Sequence, residues 1–177
     1  MIDVRNTEMS DLVQIFTLFE HSINYQEKKG YPVWKHYDKH AIIKDIENKN
    51  QYKVVVDSQI GIIFSVCYTD KVIWRELDKG DSIYLHRIVV NPELKGQKLF
   101  GKILDWVIAH SKQKGLSGIR MDTWADNPTI INYYKSFGFT FVENYTTPDT
   151  EELPVHNRNL ALTLLEYRLE NSFEFGV

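Results

Sequence analysis

Residues 82–109 read SIYLHRIVVNPELKGQKLFGKILDWVIA. The stretch is a strand, a short basic turn and a helix. Ser82 to Val90 is rich in β-branched and aromatic residues, which suits a buried strand. Asn91 and Pro92 end it, because proline has no N–H for a ladder and favours a turn. Leu99, Ile103 and Val107 then recur at helical spacing, with Phe100, Leu104 and Ile108 beside them and Lys98, Lys102 and Asp105 off the stripe. The first N–H groups of a helix have no intrahelical partner, and the helix dipole adds a positive field there. With Lys95, Gly96 and Lys98 in the turn, a phosphate or pyrophosphate fits. An ordinary strand–turn–helix with solvated lysines satisfies the same pattern. Gly96 to Lys102 also spells the frame G-x-x-x-x-G-K. Ile103 stands where a P-loop needs Ser or Thr to hold Mg²⁺, and the glycine lies too far from the strand, so nucleotide hydrolysis is rejected.

At 177 residues the chain is expected to form one domain, residues 1–177, with a tail from about residue 169. Its 43% hydrophobic and 13% aromatic content argues for a packed core rather than disorder. A net charge of -3 gives no support for a nucleic-acid binder. The single cysteine, Cys67, excludes an intramolecular disulfide and leaves too few thiols for a Cys-based zinc site. Cys67 lies in the apolar run IGIIFSVCY, where a buried, inert thiol is expected. No apolar run approaches membrane-spanning length and the start lacks an apolar signal core, so a cytoplasmic protein with no membrane partner is expected.

Working outward, Ile2 to Arg5 reads as a short strand and Thr7 as the cap of a helix running to about residue 24. Residues 25–37, with Gly30, Pro32 and four aromatics, read as a loop that walls a pocket or packs over the core edge. Asp38 to Glu47 is a short helix. Gln51–Asp57 and Gln59–Tyr68 form a hairpin turning at Asp57-Ser58, with Gly61 at a bulge or a close approach. Asp70 to Asp81 is polar and irregular. Leu116–Thr123 follows the central strand and helix, so a right-handed crossover makes it parallel to Ser82–Val90. Asn127-Pro128 starts a helix ending at Gly138. Phe139–Tyr145 and Leu160–Arg168 are the last strands. The fold class is α/β: a mixed, mostly antiparallel central sheet with helices on both faces.

This order, with VRNTEMSDL at residues 4–12, IVVNPELKGQ at 88–97 and MDTWADNPTIINYYKSFGF at 121–139, resembles the GNAT superfamily of acyl-CoA-dependent N-acetyltransferases. The resemblance covers nearly the whole chain. It implies that Ser82–Val90 and Leu116–Thr123 form a splayed parallel pair, with the pantetheine arm of acetyl-CoA in the gap against Ile88, Val89 and Val90. It implies that Lys95, Gly96, Gln97, Lys98, Leu99, Phe100 and Gly101 hold the pyrophosphate, that Asn127 approaches the pantetheine, and that Tyr134 sits near the CoA sulfur. The turn departs from the family pattern: Lys95, Lys98 and Phe100 stand at the Arg/Gln place and two glycine places, and Gly101 falls one residue late.

Acetyl transfer needs a neutral amine, hence a proton acceptor. It needs the amine held against the thioester carbonyl, and a donor for the oxyanion, for which a backbone N–H at Val89 or Val90 is expected. Tyr134 is the expected acid for the leaving thiolate; by spacing alone it also fits a packing stripe with Ile130 and Phe137. His86, four residues before Val90, is the expected base, or else a structural histidine. Asp122 and Asp81 are weaker candidates. His36, His40 and His156 are candidates for the amine pocket, and their spacing does not suggest a metal. The expected reaction is acetylation of a primary amine, on a small molecule or a protein, by direct attack. A non-catalytic acyl-CoA-binding module is the alternative. The loops 25–37, 69–81 and 146–158 are expected to form the acceptor pocket, and a homodimer through the terminal strands is plausible.

Overall fold

The computed structural model describes residues 2–30, 37–153 and 155–169. Strand β1 (Ile2–Asn6) leads through a single 3-10 turn into helix α1 (Leu12–Lys29). Helix α2 (Lys39–Glu47), strands β2 (Gln51–Val56) and β3 (Gln59–Cys67), and the short helix α3 (Lys71–Trp74) follow. Strand β4 (Ser82–Val90), helix α4 (Phe100–Gln113), strand β5 (Gly118–Trp124) and helix α5 (Pro128–Lys135) form the centre. Strands β6 (Thr140–Thr146) and β7 (Ala161–Arg168) close the sheet. The sheet order is β1-β2-β3-β4-β5-β7-β6. Among the described strands only the β4–β5 pair is parallel.

Helices cover both faces. Ile103, Val107 and Phe100 of α4 and Tyr134 of α5 pack on Ile62, Phe64, Ile83, Leu85 and Ile119. Ile15 and Phe19 of α1 and Ile42 of α2 pack on Ile60, Ile63 and Val89 from the other side. The apolar stripes on each helix supply this burial, the main favourable contribution to the fold.

Three local expectations are corrected. Helix α1 does not stop near residue 24 but runs to Lys29, where Gly30 takes a left-handed cap at φ 67°. Residues 31–36 of the expected 25–37 loop lie outside the described residues. Thr7 is not the helix cap. Its hydroxyl contacts Gln51, while Glu8 and Asp11 form a capping box. The 70–81 segment is not wholly irregular. Asp70 caps α3 by accepting from the Ile73 N–H, and a 3-10 turn follows at Arg75–Leu77.

Two bulges shape the sheet. At the first, Val54 pairs with Ile62 but Val55 with Ile60, so Gly61 is the extra residue. A Cβ there would meet Leu99 Cδ1 at 2.6 Å, so glycine lets the start of α4 sit down on β3. Gly61→Ala is expected to cost about 1–3 kcal/mol by overpacking this contact. A lower denaturant midpoint at constant slope checks it.

The second bulge lies in β4. Ser65 pairs with His86, yet Ile63 pairs with Val89, which leaves an extra residue in β4. Arg87 there takes φ 51°. Its guanidinium is held by Asp45 Oδ2 of α2 at 2.8 Å. The bulge resets the alternation of side chains. Leu85 before it faces α4 and α5, and Val89 after it faces α1 and α2. It also bends β4 away from β5. Their ladder runs from Ser82↔Gly118 to Leu85↔Met121 and stops. Beyond it β4 stays with β3 to Val90 and β5 stays with β7 to Trp124. This is the expected splayed parallel pair.

Candidate active site

A cavity of about 510 Å³ opens at the split. Its floor comes from His86, Arg87 and Ile88 on β4 and from Met121, Asp122, Thr123 and Trp124 on β5. Tyr134 of α5 lines it too. The outer wall draws on Tyr37 and Asp38, on Thr69, Asp70 and Ile73, and on Thr147, Leu153 and Asn157. All three loops expected to form the acceptor pocket therefore contribute.

Three titratable side chains meet inside. His86 Nε2 lies 3.4 Å from Asp70 Oδ2, and His86 Nδ1 lies 3.8 Å from Asp122 Oδ1. Burial pushes the Asp122 carboxyl up to about 7, and the charge of Asp70 adds to this. Burial likewise raises Asp70 to about 6, with Asp78 adding a smaller push. His86 goes the other way, down to about 4, by burial and then the nearby Arg87 cation. At neutral pH the imidazole is therefore neutral, and Asp122 is the group poised to exchange a proton.

Asp70 is held in place by a network. Asp78 Oδ2 accepts from the Asp70 N–H at 2.8 Å and from Thr69 Oγ1 at 2.7 Å. Asp78 Oδ1 accepts from the Tyr84 hydroxyl at 2.9 Å. Trp74 and Tyr84 pack together beneath, with the Arg120 guanidinium 4.8 Å from the Trp74 ring.

Tyr134 is 8% exposed and packs edge-on against Phe100, centroids 4.9 Å apart. Burial, the neighbouring Tyr133 and the Asp122 charge all hold its phenol protonated, far above its ordinary range. Cys67 also lines the cavity, rather than lying wholly buried as expected. Burial and Asp70 push its thiol up to about 12, which leaves almost no thiolate at neutral pH.

At the other end of the split, the turn before α4 is built from Gly96 at φ 93° and Lys98 at φ 52°. The N–H groups of Lys95, Gln97 and Gly101 donate to Pro92, Leu94 and Lys98 carbonyls. Those of Gly96, Lys98 and Leu99 have no acceptor among the described residues. Three amides without an acceptor, beside Lys98 and beside Lys95, whose ammonium donates to the Tyr25 hydroxyl and lies 3.8 Å from that ring, suit an anion.

The family model described as the acetyltransferase (GNAT) family matches residues 15–139. The chain belongs to the GNAT family. Its members are acetyltransferases that use acetyl-CoA. The chain is 24% identical over 140 residues to the uncharacterized N-acetyltransferase YesJ of Bacillus subtilis (strain 168), covering 75% of this chain and 78% of that one. Among solved structures it resembles a GNAT-family acetyltransferase from Listeria monocytogenes 4b F2365, with a TM-score of 0.77, 20% identity and 95% of each chain covered. It also resembles yncA, a putative acetyltransferase from Salmonella typhimurium solved with its cofactor acetyl-CoA. There the TM-score is 0.66 at 17% identity, covering 96% of this chain and 95% of that one.

Against the GNAT frame, the sequence-derived residues divide. His86, Ile88 and Tyr134 come together at the cavity. Val89 points its side chain away from the split, into the α1–α2 core, and Val90 is 40% exposed. Gly101 belongs to the first turn of α4 with its amide engaged, so it is not one of these amides without an acceptor. Phe100 turns its ring into the core, and Lys98 takes the left-handed backbone that a glycine would otherwise supply. Asn127 caps α5 by accepting from the Ile130 N–H. Asp81 is removed as a base: it binds Ser82 and Ser117 at the far end of β4. His40 is exposed and not part of the cavity lining. His36 and the side chain of His156 lie outside the described residues. Sequence reasoning missed Asp70 and Ser65. Ser65 is readable as the cross-strand neighbour of His86 once the β3–β4 register is known. Asp70 sits in a polar loop where no periodicity marks it.

Proposed function

We propose that the protein transfers an acetyl group from acetyl-CoA to a primary amine by direct attack. The observation that supports this most is the split between β4 and β5. A cavity holding Tyr134, His86 and Asp122 opens there, and the same strand β4 runs on to the amide turn before α4. The residues fit the donor. The unpaired amides of Gly96, Lys98 and Leu99, with Lys98 beside them, suit a pyrophosphate. The edge of β4 left without a ladder after Leu85 suits an amide-bearing arm. Acetyl-CoA supplies a thioester, an acyl group on a good leaving group.

The chain's own groups do the rest. The cavity holds the amine near the thioester end of the split. Asp122, titrating near 7, is better matched than His86, near 4, to accept the amine proton at neutral pH. His86 lies between the two carboxylates, near both and hydrogen-bonded to neither among the described residues. Tyr134 keeps its proton in the buried site and donates it to the departing sulfur. The non-catalytic alternative drew on a turn narrowed by Phe100, but that ring lies in the core and leaves the turn open.

Calorimetric titration with acetyl-CoA, using desulfo-CoA as control, tests the donor, and release of free CoA thiol with an amine panel tests transfer. Absence of binding at millimolar acetyl-CoA would sink the proposal. Cys67→Ala is expected to retain turnover, because a thiol titrating near 12 is no nucleophile at pH 7–8. A stable acetyl-protein adduct lost in this variant would instead show a covalent route.

A further inference from the structure

Within the proposed cavity, three oxygen acceptors face inward with few donors to satisfy them. Asp70 Oδ2 is buried and has no hydrogen bond among the described residues, since its 3.4 Å approach to His86 Nε2 lacks hydrogen-bond geometry. Among the described residues the Asp122 carboxylate has no donor besides its own backbone N–H. Ser65 lies opposite His86 on β3, is 1% exposed and lines the same cavity, and its Oγ has no partner among the described residues. Buried acceptors left unpaired are costly, so their presence together points to a donor-rich guest. An ammonium brings three N–H donors and one positive charge, and no acceptor.

The rest of the lining has the same sign. Arg87, the cation among the described lining residues, is neutralised by Asp45. Asp38 is held ionised by the α2 backbone N–H groups that it caps. A metal ion fits the cluster less well. Asp70, His86 and Asp122 each bring one ligand atom within 4.8 Å of the others, but His86 makes its shortest carboxylate approaches through different ring nitrogens, 3.4 Å to Asp70 and 3.8 Å to Asp122, so Zn²⁺ is set against the ammonium in the test below.

We propose that Asp70, Asp122 and Ser65 form an ammonium subsite, and that the acceptor is a small, net-cationic amine rather than an amino acid or another zwitterion. The inference rests on the acetyl-transfer reading and names its acceptor class. The amine arrives as an ammonium and is held by the two carboxylates. One of its protons passes to Asp122, and the freed lone pair is then available for attack. A carboxylate elsewhere on the acceptor is repelled by the unpaired acids, and a second ammonium is attracted.

The test uses the full chain and three acceptors of equal length: 1,4-diaminobutane, butylamine and 4-aminobutyrate. Thiol release gives kcat/KM, and calorimetry gives binding independently of turnover. The diamine is expected to exceed the aminobutyrate by about 100-fold in kcat/KM, with butylamine between them. Asp70→Asn keeps the oxygen that caps α3 and removes the charge, and is expected to reduce that ratio to within about threefold. Equal use of the aminobutyrate and the diamine overturns the subsite while leaving acetyl transfer standing. Saturable diamine binding that weakens in Asp70→Asn, with no acetylation of any amine, keeps the subsite and overturns acetyl transfer. Tight Zn²⁺ binding that displaces the diamine overturns the proposal in favour of a metal site.

Discussion

Tyr134→Phe is expected to lower kcat by about 100-fold while acetyl-CoA binds as before, because loss of a positioned acid typically costs 10²–10⁴. The ring stays in place. Its contacts with Phe100, Tyr133 and Phe139 are made by carbon atoms that phenylalanine also has. The hydroxyl has no hydrogen-bond partner among the described residues, so its removal strands nothing. The measurement is kcat by thiol release alongside the dissociation constant of acetyl-CoA. Unchanged turnover would return Tyr134 to a purely packing role with Ile130 and Phe137.

Asp122→Asn is expected to act on rate and stability in opposite directions. The variant loses a proton acceptor and half of the charge facing the amine, so kcat/KM should fall by about 100-fold or more. Wild-type kcat/KM should decline as pH drops below about 7, following the cluster of Asp70, His86 and Asp122 beside the Arg87–Asp45 pair and Tyr134. In the asparagine variant that limb should move down to about 6, where Asp70 remains to titrate. Stability runs the other way. A carboxyl near 7 in the folded chain and near 3.8 unfolded binds more protons when folded between those values. Stability therefore falls as pH rises from about 4 through 7. Asparagine removes this penalty. At pH 8 the variant should be more stable by up to about 4 kcal/mol, with a correspondingly higher Tm. The gain should vanish near pH 4. A variant that melts lower at pH 8 and keeps full activity would refute both halves. Placing a carboxyl where it destabilises the empty protein is the kind of compromise active sites make.

The central strand, turn and helix were legible because their signals are local. Leu99, Ile103 and Val107 mark one helix face, Pro92 ends a strand, and Asn127-Pro128 starts a helix. The parallel pairing of β4 with β5 followed from crossover handedness. The insertion of β7 between β5 and β6 was not legible, since pairing among late strands depends on contacts far apart in sequence. Nor was the bulge at Arg87. Nothing in HRIVV announces an extra residue, because it is the Asp45 carboxylate on α2 that holds Arg87 in a left-handed backbone. Tyr134 and His86, which line the cavity, were picked out by position in a family pattern. Asp70 was not, since its place depends on Asp78 and Tyr84 fixing a loop whose composition resembles any solvated segment.

The four-pair ladder between Ser82–Leu85 and Gly118–Met121 gives the sheet the form of a half-open book. One leaf carries β1 to β4, the other β5 to β7, and the spine is short. The two carboxylates and the phenol are not printed on one page. His86 belongs to the first leaf, Asp122 and Tyr134 to the second side of the split, and Asp70 to the segment joining β3 to β4. A ligand laid along the gap therefore does more than occupy it. It would touch both leaves at once, so the spacing between groups on the two leaves would answer to what lies in the gap.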